Sequence, residues 1–115
     1  MGSKIYSKNF SAIGNLSSDQ QTIQIQEDFF LSELGFSKME NNSSSDIYLE
    51  VFVNERSLFD PSLLHLGTLK RNNGNGYAFP DAVKIGAKET VKLSLKNNTG
   101  ASLSMMVSLH GKVKD

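Results

Sequence analysis

Apolar and polar residues alternate along the last third of the chain. Val91, Leu93 and Leu95 interleave with Lys92, Ser94 and Lys96, and further on Leu103, Met105, Val107 and Leu109 interleave with Ser104 and Ser108. A period of two puts every apolar side chain on one face of a pleated strand and every polar one on the other. The tetrad Asn97-Asn98-Thr99-Gly100 between the two runs has turn chemistry, so the pattern predicts an antiparallel hairpin with one wet face. Upstream, Ile47, Leu49, Val51 and Val53 share a face, with Tyr48, Glu50 and Phe52 on the other; this is the strongest middle strand. Asn54-Glu55-Arg56 then reverses the chain into a short extended piece that stops at Pro61. Shorter signals mark strands at Ile23 and Ile25, from Phe29 to Leu34 with Gly35 as breaker, at Tyr77 to Phe79, and at Val83 and Ile85. Residues 63–69 fit a strand or one helical turn. The Asn41 to Ser45 tract and the paired Asn-Gly steps ending at Gly76 read as loops.

About eight short strands separated by polar turns predict an all-β protein, an antiparallel β-sandwich of jelly-roll-like type. A seven-strand immunoglobulin-like sandwich uses the same local signals and stands as the alternative. Residues 1–21 lack any sustained period, being mostly Ser, Asn, Lys and Gln with scattered Ile5, Tyr6 and Phe10. Such a segment buries too little to offset its ordering entropy, so an extended N-terminal arm is predicted ahead of a single sandwich domain at 22–115. Arms of this kind gain order on a neighbouring subunit, with Ile5, Tyr6 and Phe10 as the candidate partner contacts; a disordered tail without a partner is the alternative.

With 115 residues the chain is long enough for one core, and without cysteine that core has no covalent staple. Twelve basic and twelve acidic residues cancel. Without a basic surplus, direct nucleic-acid binding is not expected. No apolar run approaches the roughly 18 residues that a bilayer-spanning helix needs, so no membrane span is predicted.

Catalytic signatures are scarce. His65 and His110 have neither cysteine partners nor metal-ligand spacing, and the serines have no recognisable base. The acidic residues Glu27, Asp28, Glu33, Glu50 and Asp60 read as surface charge, and no regular calcium loop is present. The Asn-Gly loop lacks the following helix that a phosphate cradle requires. The expectation is therefore no enzyme, no catalytic residue, no metal and no cofactor. Sandwiches also bind glycans through exposed aromatic rings, and Tyr48, Phe52, Tyr77 and Phe79 are the candidate contacts for that alternative.

Phe79-Pro80, the step Val83-Lys84-Ile85-Gly86, the strand from Glu89 to Asn97, and Met106-Val107-Ser108-Leu109-His110-Gly111 together resemble the C-terminal half of small β-sandwich virion proteins of bacteriophages. The run from Val51 to Phe59 resembles their middle hairpin. The resemblance implies a non-enzymatic structural or assembly protein: a capsid decoration, minor capsid, or tail or vertex component. Such a protein is a homo-oligomer or contacts other particle subunits, is made in the host cytoplasm and resides in the virion.

Overall fold

The computed structural model describes residues 2–37, 47–58, 64–65, 76–98 and 100–113. Among these residues nine strands follow in chain order: β1 (Gly2–Ile13), β2 (Ser17–Gln24), β3 (Phe29–Ser37), β4 (Ile47–Val53), β5 (Arg56–Ser57), β6 (Leu64–His65), β7 (Gly76–Ile85), β8 (Thr90–Asn97) and β9 (Leu103–Val113). They form two antiparallel sheets, one ordered β1-β9-β3-β7 and the other β2-β8-β4-β5, with β6 also paired to β4. Successive strands change sheets at almost every connection, and the two orders together are those of a jelly roll. The loops predicted around Asn41 to Ser45 and Asn72 to Asn75 lie outside the described residues.

The two alternating C-terminal strands face each other across the core instead of pairing. β8 sits between β2 and β4, whereas β9 sits between β1 and β3 in the opposite sheet. The predicted hairpin is thus replaced by a connection between sheets. Val91, Leu93 and Leu95 of β8 and Leu103, Val107 and Leu109 of β9 are all buried from opposite sides of one core. Alternation reports which face is apolar and is silent about the neighbour in the ladder.

Asn97 fastens this crossing. It is fully buried, and its Nδ2 donates to the carbonyls of Ile13 at 2.9 Å and Ala101 at 2.6 Å. The end of β1 and the approach to β9 are thereby tied to β8.

The segment expected as a free arm supplies β1 and most of β2, so no boundary falls at residue 21. β1 pairs with β9 from Gly2 opposite Val113 to Phe10 opposite Met105, and β2 pairs with β8 along its whole length. The hydropathy pattern concealed this because Lys4 and Lys8 occupy the same strand face as Tyr6 and Phe10. Ladder hydrogen bonds to β9, which do not depend on side-chain pattern, order the strand.

Two irregularities set which residues reach the core. In β3 the pairing with β9 shifts between Leu31 and Glu33, and the extra residue, Ser32, donates its hydroxyl to the His110 carbonyl at 3.0 Å. The shift brings Leu34 and Phe36 to the face already held by Phe29 and Leu31. β3 accordingly continues through Gly35, which had read as a breaker. In β1, Ala12 adopts a φ of 52° and donates its N–H to Ser104 Oγ at 2.9 Å, which lets both Phe10 and Ile13 turn inward.

Candidate functional site

The sheet edges are where this fold offers backbone groups to a partner, and the four differ sharply. β7 pairs with β3 at Tyr77 and Ala78 and again at Val83 to Ile85, but Phe79 to Ala82, including Pro80, bulge out of register opposite Ser32. Proline has no donor, and a broken ladder is a poor template. β5 and β6 have two residues each. β2 has eight residues, nearly all polar. β1 is the longest edge, twelve residues, and its outward positions Ser3, Ile5, Ser7 and Asn9 are exposed.

Of the three expected partner anchors, only Ile5 is exposed, at 58%. Tyr6 points inward and is half-buried: its ring meets Phe29 edge-on at 5.1 Å, and its hydroxyl accepts a hydrogen bond from Gln26 N. Phe10 is buried in the core, so it holds β1 in place and has no surface to offer. Lys4 lies 5.2 Å from the Tyr6 ring centroid and 3.7 Å from the Glu27 carboxylate, completing a small cluster where β1 passes the β2–β3 connection.

The four aromatic residues proposed for a glycan belong to different sheets. Tyr77 and Phe79, on β7, meet edge-on at 5.0 Å and lean against the core. Tyr48 and Phe52 share the outer face of β4. Phe52 lies opposite Lys92, whose ammonium stands 4.8 Å from the ring centroid. A groove of about 400 Å³ runs here, lined by Thr22, Phe52, Asn54, Glu55, Thr90 and Lys92. Asn54 is committed to structure: its N–H donates to the Thr90 carbonyl, its Oδ1 accepts from Thr90 N, and its Nδ2 donates to Glu89. With Asn54 and Glu55 at φ of 50° and 69°, the β4–β5 reversal is a tight turn of the primed kind.

A serine–histidine contact escaped the sequence reading although its signal was present. Ser108 and His110 are two apart on one strand, hence on one face, and Ser108 Oγ lies 2.8 Å from His110 Nε2. Glu33 is the cross-strand neighbour of His110. The pair is half-buried on the outer sheet face, and β9 is flanked by β1 and β3, so its backbone donors serve the ladders. Nucleophilic catalysis needs converging donors at a developing oxyanion, and this face provides none from β9. The pair lies over Gly35, where a β-carbon would stand 2.6 Å from Ser108 Oγ and 2.7 Å from His110 Nε2. His65 contributes to β6, and its side chain is outside what is described. Among the described residues no group of three His, Cys, Asp or Glu side chains is placed to hold a metal ion, and no helix is long and apolar enough to cross a membrane.

No protein-family model matches the chain, and no curated protein matches it. Among solved structures it is similar to FLHE, with a TM-score of 0.45 and 9% identity over 97% of this chain and 99% of that one. It is also similar to the Drosophila NLP core, with a TM-score of 0.42 and 15% identity over 93% and 94% of the two chains. A serine protease of Aeromonas sobria gives a TM-score of 0.43 and 8% identity, covering 97% of this chain and 28% of the protease. Likenesses at this level carry no argument about activity.

Proposed function

We propose that the protein is a non-enzymatic structural subunit that works through contacts with other subunits, as a component of a bacteriophage particle made in the bacterial cytoplasm. The observation that supports this reading is β1: a twelve-residue edge strand, with an exposed isoleucine, in a jelly roll whose other edges among the described residues are short, broken or nearly all polar. An open edge of that length pairs with an extended segment through main-chain hydrogen bonds. In a symmetric particle, weak contacts of this kind reinforce one another through effective concentration. The test is light scattering and negative-stain electron microscopy of the full chain over a wide concentration range. Species heavier than the 12.7 kDa chain are the expected result, and a chain that keeps that mass throughout overturns self-assembly.

A second reading, a carbohydrate-binding module, is favoured by the groove at Phe52. An aromatic ring in a groove also lined by the hydroxyls of Thr22 and Thr90 suits a pyranose, whose C–H face stacks while its hydroxyls take hydrogen bonds. Glycan-array binding lost in Phe52→Ala and retained in Tyr77→Ala supports that reading. Binding to no glycan dismisses it.

A further inference from the structure

We propose that the partner of β1 is β1 of a second copy, paired antiparallel about a two-fold axis at Ile5, so that two four-stranded sheets join into one of eight. The inference rests on the assembly reading and names its partner and register.

A two-fold axis normal to the sheet keeps the outer faces of both copies on the same side, so outward residues oppose outward residues. Few registers remain, and the side chains discriminate among them. Centring on Lys4 or Lys8 sets that lysine against its own mate. Centring on Tyr6 sets Lys4 against the partner's Lys8. Like charges directly opposite each other destabilise a ladder. Centring on Ser7 leaves the exposed Ile5 against the partner's Asn9. Centring on Ile5 places the two isoleucines together, Ser3 against the partner's Ser7, and Lys4 against the partner's Tyr6. Lys4 already lies over an aromatic ring within its own chain, and the partner's Tyr6 presents a second. Of the registers compared, it is the one that covers the isoleucine, 58% exposed in the single chain, with an apolar group and opposes no like charges.

The chain has no cysteine, which makes the test clean. Directly opposed residues have Cα atoms about 4.5–5.5 Å apart, within disulfide range, whereas the two copies of Ser7 would be about 14 Å apart. Ile5→Cys and Ser7→Cys are oxidised mildly and compared on non-reducing gels, alongside the light-scattering mass of the unsubstituted chain and of Ile5→Lys. The expected result is a cross-linked dimer in Ile5→Cys at least tenfold over Ser7→Cys, with Ile5→Lys shifted to monomer and its circular dichroism unchanged. A multimeric chain in which Ser7→Cys cross-links preferentially, or neither variant does, overturns this pairing and leaves assembly through another surface standing. A monomer at every concentration overturns both.

Discussion

Gly111 of β9 lies against the ring of Phe29. A β-carbon at Gly111 would stand 2.8 Å from Phe29 Cζ, and it would also press on the backbone carbonyl oxygen of Phe30. Phe29 is itself fully buried and braced by Tyr6. Gly111→Ala therefore over-packs a site with no room to relax, at a cost of about 3 kcal/mol or more. Chemical denaturation measures the loss. Phe29→Leu in the same chain does not restore stability, because the carbonyl of Phe30 remains in the way.

Asn97 carries two obligations at once, a buried one to Ile13 and a part-buried one to Ala101. Asn97→Leu leaves both carbonyls without this donor and costs about 2–4 kcal/mol, on the scale of about 1–3 kcal/mol per unsatisfied group. A urea midpoint lowered with an unchanged slope is the expected signature. A change of less than 0.5 kcal/mol, the ordinary range of an uneventful surface substitution, contradicts the role given to the amide.

Leu16 combines 71% exposure with a φ of 63° in the turn between β1 and β2. The left-handed region costs an ordinary L-residue roughly 1–2 kcal/mol, less for asparagine. Leu16→Asn is expected to raise stability by about 0.5–1 kcal/mol, since little burial is lost. Thermal unfolding decides the sign. Lys88, at φ 70° in the turn before β8, provides an independent second site for the same experiment.

Removing residues 1–13 separates an arm from an integral strand. The deletion takes Phe10 and Ile13 out of the core and uncovers the flank of β9. Truncating one such side chain alone costs about 2–5 kcal/mol. Losing both, with the whole ladder, consumes most of the roughly 5–15 kcal/mol that holds a domain together. The shortened chain is expected to lose cooperative unfolding by circular dichroism. A folded, stable product would show that β1 is dispensable.

Much of the architecture was legible along the chain because alternation is a local consequence of the pleat. The facing of β4, β8 and β9 follows from Ile47 to Val53, Val91 to Leu95 and Leu103 to Leu109, and the turn after β4 from a polar step that opens on Asn54, a residue that tolerates positive φ. Three strands with one apolar face, among about eight strand signals separated by polar turns, point to a sandwich. The candidate site was less legible. Of the expected contact residues Ile5 is exposed, but Tyr6 and Phe10 beside it turn inward, and Tyr77 and Phe79 fall on a different sheet from Phe52.

Which strands become neighbours was decided only in three dimensions. β8 and β9 are consecutive and equally amphipathic, yet each pairs with strands far away in sequence, because two apolar faces gain more by closing on each other across a core than by lying side by side with both still open to water. The first thirteen residues show the same limit from the other direction. Their own side chains predict no structure, and the unpaired flank of β9 supplies the hydrogen-bonding partner that makes them a strand. The chain by itself determined which faces are apolar and where it turns, since both are properties of near neighbours. Pairing, sheet order and the identity of the open edge depend on contacts between distant segments, and the tertiary structure alone settled them.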